Sequence, residues 1–320
     1  MIKIGIITNP RSHRNKGGLD SLNNTIAGHA DVHHAVLGDV SEIPEILQEF
    51  ASRDVNLLAI FGGDGTVQAT LTGLFDKRPF DALPTLAVVP AGRTNMIAAD
   101  AGIRSRRGQG MSRLLELASI ADLADCVTER RIVRIDNVRG AGSQYGMFFG
   151  AAGICRAIES CRRNLHPYGL NSDIASALTL AGSVVRLLSG RGGKDQICRG
   201  DDIGIALDNE NIASHSCLVL LATTLDRLLF GSRPFWTEIP GPLHFSYISY
   251  PPKRLGLYVP RLLYGGPRRN LPAESYFSQD ANSVRLKLDG PFTLDGEFFE
   301  AEPDREIILS SHERANFVQL

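Results

Sequence analysis

Two short segments combine glycine with an acid in a way that suits phosphate chemistry. Phe61-Gly62-Gly63-Asp64-Gly65-Thr66-Val67 follows the apolar run Leu57 to Phe61 and precedes a helical stretch. Glycines let the backbone approach a phosphate closely and adopt positive φ. A helix that starts there offers unbonded N–H groups and the positive end of its dipole, which together form an anion site. Asp64 reads as a metal-organising carboxylate or as a residue of the helix N-cap region. The competing reading is a tight strand-to-helix turn with no ligand. The second segment, Leu294-Asp295-Gly296-Glu297, lies late in the chain. A hydroxyl is a poor nucleophile near neutral pH, so a carboxylate within hydrogen-bond reach is a sensible general base. On a strand, Asp295 and Glu297 would share one face. The alternative is a hairpin turn at Asp295-Gly296 with Glu297 solvated.

Other nucleotide signatures are missing. No GxGxxG follows the first strand. Gly193-Lys194 resembles the end of a Walker A loop, but Leu188 stands at its first glycine and Asp195 follows the lysine. No HRD or DFG triplet occurs, which argues against Rossmann, P-loop and protein-kinase readings. The five cysteines are scattered without a CxxC pair, so a zinc or redox motif is not expected, and reduced thiols in a cytoplasmic protein are. The histidines show no metal-ligand spacing; His33 and His34 would point to opposite faces of a strand.

The elements that must position these residues are legible as texture. Ile2 to Thr8, Leu57 to Phe61 and Thr85 to Val89 are short apolar runs ending in Asn9-Pro10, Gly62-Gly63 and Pro90-Ala91-Gly92. Such runs predict buried parallel strands. Helices are expected over Ser41 to Phe50, Thr66 to Phe75 and Met111 to Ala118, giving an α/β domain with ligands at the carboxyl ends of its strands. After Asp125 the pattern changes. Strands are expected over Val127 to Val138, Gln144 to Phe149, Asp202 to Leu207 and Cys217 to Ala222, with one helix over Ser172 to Leu188. Short alternating runs follow: Val284/Leu286/Leu288, Phe292/Leu294, Glu306 to Leu309 and Asn316 to Leu320. Asp289-Gly290 and Asp295-Gly296 are hairpin-type turn signals. This half reads as antiparallel β.

The chain has 320 residues, 43% hydrophobic and 22% charged, with a net charge of −1. Two domains are expected. No global basic field draws nucleic acid or anionic membrane, so nucleic acid is not an expected partner. The N-terminal run is too short for a signal peptide, and no stretch has the roughly 18 uncharged apolar residues of a spanning helix.

The motifs taken together resemble the lipid kinases of the diacylglycerol kinase family, which share the GGDGT loop with sphingosine, ceramide and NAD kinases. Asn9-Pro10 is similar to that family's NP loop. Pro90-Ala91-Gly92-Arg93-Thr94-Asn95 resembles its PxGTxND segment, and Asp295-Gly296-Glu297 its late DGE motif. Their order and spacing match across nearly the whole chain. The resemblance implies an N-terminal α/β nucleotide domain (1–126), mostly parallel, and a C-terminal antiparallel β-sandwich domain (127–320) whose last strands return to the cleft. It implies ATP and Mg²⁺, a lipid acceptor, most simply diacylglycerol, at a membrane surface, and is compatible with a homodimer. By the same resemblance Asn9, Pro10 and the loop that follows them contact the nucleotide, and Gly62, Gly63, Asp64, Gly65, Thr66, Val67 and Gln68 wrap the phosphates. Arg93, Thr94 and Asn95 add contacts. Glu297 is the base, and Asp295 holds Mg²⁺ or shares that role.

The sequence departs from the family pattern at several points. Val67-Gln68-Ala69 replaces V-N-E, Arg93 stands at a threonine, and Met96 at an aspartate. Arg93 reads equally as a bidentate phosphate contact and as a solvated loop residue. The DDG stretch tied to a structural Mg²⁺ in bacterial members is absent, so that metal is not expected. An NAD kinase and a nucleotide-binding regulatory protein with degraded catalysis remain as alternatives. Leu228 to Trp236 concentrates large apolar residues in a Gly/Pro-broken stretch, either a membrane-docking lip helped by Lys253, Arg254 and Arg261 or part of the β-domain core.

Overall fold

The computed structural model describes residues 2–12, 15, 19–27, 29, 31–92, 94–103, 109–119, 123–165, 199–237 and 240–320. Two expected features, the helix over Ser172 to Leu188 and the Gly193-Lys194 segment, lie outside the described residues, as does Arg93. The chain divides into two compact units, residues 1–131 with 313–320, and residues 132–312.

The first unit is built on strands β1 (Ile4–Thr8), β2 (Val32–Val36), β3 (Leu57–Gly62), β4 (Thr85–Pro90) and β5 (Val127–Arg131), joined by the final strand of the chain, β17 (Arg314–Val318). Their order is β2-β1-β3-β4-β17-β5. All neighbours are parallel except β17 and β5. Ile6, Ile7, Leu58, Ala59, Ile60, Ala87 and Val88 are all but fully buried, as expected of a parallel sheet covered on both faces. Each such isoleucine, leucine or valine contributes about 1.5–3 kcal/mol through burial. Helix α2 (Ile43–Ser52) buries Ile43, Leu47 and Phe50, a spacing that keeps one stripe inward. It follows helix α1 (Asp20–Ile26) and packs on α3 (Asp64–Lys77). There Gly73 is required, because an added Cβ would lie 2.8 Å from Leu47. Helices α4 (Met96–Ala101) and α5 (Gln109–Ser119) complete the unit.

The three expected strands and three expected helices of this unit are present, with ends shifted by a few residues. The dividing point differs. The unit extends to Arg131 because β5 pairs with β17, so the stretch Val127 to Val138 is two strands in two sheets rather than one. The segment Asn316 to Leu320, expected in the antiparallel half, instead lies mostly in β17, between β4 and β5.

The second unit contains β6 (Val133–Asp136), β7 (Gln144–Gly146), β8 (Phe148–Ala152), β9 (Asp201–Leu207), β10 (Ala213–Thr223), β11 (Leu243–Ser249) and β12 (Tyr276–Ala281). β13 (Ser283–Lys287), β14 (Phe292–Leu294), β15 (Glu297–Phe299) and β16 (Ile307–Ser310) complete it. Among the described residues these form one eleven-stranded antiparallel sheet. Alternate residues such as Ile203/Ile205, Phe149/Ala151, Val284/Leu286 and Ile307/Leu309 meet in one core, so the expected sandwich is a single sheet curled around that core. Helices α6 (Gly153–Leu165) and α7 (Leu255–Tyr264) pack elsewhere, with Ala157, Leu255 and Leu262 against Leu218, Val219, Ile248 and Tyr276. Asp295-Gly296 forms the hairpin between β14 and β15. Asp289-Gly290 does not make a hairpin, because β13 pairs with β9 and β16 while β14 pairs with β8 and β15.

Candidate active site

Parallel pairing of β1, β3 and β4 brings their carboxyl ends to one edge of the first sheet. The backbone there is stitched across: Asn9 N–H donates to the Phe61 carbonyl at 3.1 Å, and Ala91 N–H to the Gly62 carbonyl at 3.0 Å. Three segments singled out in the sequence, Asn9-Pro10, Gly62–Thr66 and Pro90–Asn95, therefore adjoin. Gly62 is needed because a Cβ would meet the Thr66 side chain at 2.6 Å. Gly63 and Gly92 touch backbone to backbone; a Cβ on Gly92 would lie 2.6 Å from the Gly63 Cα. Side chains at these two positions would push the loops apart.

Helix α3 starts at the glycine turn, with Gly63 as its extended N-cap (φ −92°, ψ 179°). The N–H groups of Asp64 and Gly65 fall in its first turn, outside the helical ladder. Asp64 itself is buried. Its Oδ2 accepts from the Thr94 hydroxyl at 2.6 Å and the Met96 N–H at 3.1 Å, and its Oδ1 from the Ile97 N–H at 3.1 Å. It thus starts α3 and caps α4 at once. Burial pushes its carboxyl above the ordinary range, opposed by those three hydrogen bonds. The side chain acts as a strut between the two loops.

The Asn9 side chain donates to the Thr66 hydroxyl at 2.9 Å, and Thr66 is 4% exposed. Val67 is fully buried, and buried Gln68 donates to Thr72 at 3.0 Å. The side chains of Val67 and Gln68, expected to help wrap phosphates, are therefore committed to the interior. Asn95 sits at φ 48° and exchanges two hydrogen bonds with the Gly92 backbone. Two further residues support the site; they lie in the loop after Asn9-Pro10, which was expected to take part, but were not singled out by number. Ser12 accepts the Gly63 N–H at 3.2 Å. Asn15, 4% exposed, donates to the carbonyls of Asn9 and Phe61. No local pattern marks either residue; a polar residue a few positions after the NP turn is the nearest signal.

The second acidic segment lies in the other unit. Asp295 (φ 51°) and Gly296 (φ 91°) are the two turn residues, matching a type I′ hairpin. The Asp295 carboxylate is 4% exposed and accepts from the Met147 N–H at 3.0 Å and the Phe148 N–H at 2.8 Å. A Cβ on Gly146 would collide with it. Glu297 begins β15 with its side chain 52% exposed, and Arg162 is 3.8 Å away. Asp295 is in the turn, not on the strand, so the two acids do not share a strand face. Both Asp295 oxygens are engaged with backbone amides, and no cluster of three or more His, Cys, Asp or Glu able to hold a metal occurs among the described residues. Asp295 is thereby turned inward, with both oxygens supporting the start of β8.

A glycine turn between a parallel strand and a helix N-terminus, braced by a second glycine loop, is a geometry that suits an anion such as phosphate. Comparison with known proteins makes this specific. Residues 3–126 match the family model described as the diacylglycerol kinase catalytic domain. A 79-residue stretch is 38% identical to the diacylglycerol kinase of Bacillus subtilis (strain 168), covering 24% of each chain. A diacylglycerol kinase structure from Bacillus anthracis str. Sterne covers 99% of this chain and 96% of its own, at 17% identity and a TM-score of 0.59. A candidate diacylglycerol kinase from the same organism gives 18% identity and a TM-score of 0.65 over 99% and 96%. At such identities the structural likeness is one of fold. The family resemblance read from the motifs is borne out: residues 3–126 form a diacylglycerol kinase-type catalytic domain, which supports a lipid kinase. No helix among the described residues is long and apolar enough to cross a membrane.

Proposed function

We propose that the protein transfers the γ-phosphate of ATP to a lipid hydroxyl, with diacylglycerol the favoured acceptor and phosphatidic acid the product. The observation that carries this reading is the Gly63–Gly92 contact at the N-terminus of α3. It leaves backbone N–H groups as the natural partners for phosphate oxygens. Asn9, Ser12 and Asn15 hold the neighbouring turn in place. Phosphoryl transfer asks mainly for positioning and charge neutralisation. Mg²⁺ carried by the nucleotide would supply that neutralisation. Thr94 is exposed at the loop surface, but its hydroxyl donates to Asp64, so its part is to hold that carboxylate and the loop in place.

Glu297 is the base in this scheme. Of the two acids in the late motif it is the one with an exposed carboxylate. It takes the acceptor hydroxyl proton as the oxygen bonds to the γ-phosphorus. The bond from phosphorus to the bridging oxygen breaks, and ADP leaves with the electron pair. The test is thin-layer detection of labelled phosphate from ATP across diacylglycerol, sphingosine, ceramide and NAD. Label on diacylglycerol supports the reading, label on NAD alone replaces it with NAD kinase, and label on none overturns it.

A further inference from the structure

The second unit carries an apolar and basic surface with no part in the site above. Helix α7 buries Leu255 and Leu262. Its opposite stripe, Leu257, Pro260, Arg261 and Tyr264, is exposed, with Leu257 at 68% and Tyr264 at 60%. These positions follow the i, i+3, i+4, i+7 rule of one helix face. The segment 228–233 lies against the end of the same helix, because Arg233 N–H donates to the Leu263 carbonyl at 2.7 Å. At its tip Phe230 is 55% exposed with φ 58°. The lip expected from sequence is thereby redrawn. Phe235 stacks on His244 at 4.2 Å, and Trp236 packs under Arg269, so both are half-buried and engaged within the unit. Arg269 fastens this region by bonding the carbonyls of Leu262, Gly265, Gly266 and Phe235.

The charge around these side chains is predominantly basic, although Lys253 is paired with Glu274 at 2.8 Å. From Tyr250 to Leu271 the chain contains Lys253, Arg254, Arg261, Arg268 and Arg269 and no acidic residue. Arg254, Arg261 and Arg268 are exposed. The whole chain has a net charge of −1, so this concentration is local. Exposed leucine, phenylalanine and tyrosine ringed by arginine are the composition of a surface that settles into an anionic lipid interface.

We propose that Phe230, Leu257 and Tyr264, with Arg254, Arg261 and Arg268, form a docking surface for an anionic lipid bilayer. The proposal deepens the lipid-kinase reading and takes its purpose from it. Its test uses binding alone, so failure of docking and failure of the kinase assignment are separable. The experiment is co-sedimentation of the full chain with phosphatidylcholine vesicles, with and without phosphatidylglycerol.

The parent should sediment with the anionic vesicles, and added salt should weaken that binding. Phe230→Ser/Leu257→Ser/Tyr264→Ser should bind at least about tenfold less, with an unchanged melting temperature. Arg254→Gln/Arg261→Gln keeps the apolar side chains and should lose about fivefold per arginine removed. Leu83→Ser, at an exposed leucine of the first unit, should bind as the parent does. The proposal is overturned if the parent ignores anionic lipid, or if both multiple variants bind like the parent. It is also overturned if the triple variant keeps vesicle binding while a dimer in solution becomes a monomer, which would make the surface a contact with a second copy.

Discussion

The dipeptide Asp-Gly occurs at the heart of both motifs and builds a different object in each unit. At Asp64-Gly65 it opens a helix; at Asp295-Gly296 it closes a hairpin. In both places the aspartate is turned inward. Asp64 gathers a hydroxyl and two amides from the neighbouring loop, and Asp295 gathers two amides from the approach to β8. A carboxylate that accepts several charge-assisted hydrogen bonds in a buried place is a strong local fastener. The comparison teaches that the motif acids hold the scaffold, while chemistry falls to what stands beside them. Under the proposed function that is the backbone of the glycine loop in the first unit and Glu297 in the second.

The largest expected effect comes from separating the two glycine loops. Gly63→Val and Gly92→Val each place a side chain into the backbone contact between them. Nucleotide binding, followed by calorimetry, should be lost in both. Retained affinity in both would break the account of the first unit.

Next come the two struts themselves. Asp64→Ala and Asp295→Ala each strand buried donors, a cost of about 2–3 kcal/mol apiece. Denaturant melts should show both losses. Of the two, Asp64→Ala alone should also abolish nucleotide binding, because it frees Thr94 and the start of α4. A stable Asp295→Ala protein would refute the clamp reading of the second motif.

The smallest effect is on pH dependence. His34 bonds through Nε2 to the Thr8 hydroxyl at 3.0 Å, and burial pulls its pKa below the ordinary value. The unfolded chain then takes the proton first. Stability should decline as pH falls through about 6.5, the unfolded value, and level off below the folded one. His34→Gln should flatten that decline, measured as melting temperature against pH.

The strands carrying the site were legible because apolar runs ended in Gly or Pro: Leu57 to Phe61 and Thr85 to Val89 nearly coincide with β3 and β4. Strand β2, with His33 and His34 in its middle and partly exposed, gave no such run. Helix α4 was hidden because six residues show little periodicity. The placement of β17 depends on a long-range pairing that local pattern cannot encode. Site residues chosen by motif were positioned as a group in the first unit, yet the sequence could not say which face outward. Val67 and Gln68 turn in because α3 is covered on nearly every side, and the sealing of Asp295 follows from contact with residues 147 positions or more away.

The most direct test sets Glu297→Gln beside Asp295→Asn, reading kcat, ATP affinity, Mg²⁺ requirement and melting temperature. The account predicts that Glu297→Gln lowers kcat by about 10²–10⁴-fold, leaving ATP affinity and melting temperature unchanged. Asp295→Asn should lower the melting temperature and leave the Mg²⁺ requirement where it was. A Glu297→Gln enzyme with near-normal kcat, or an Asp295→Asn enzyme that melts like the parent yet needs more Mg²⁺, would contradict it.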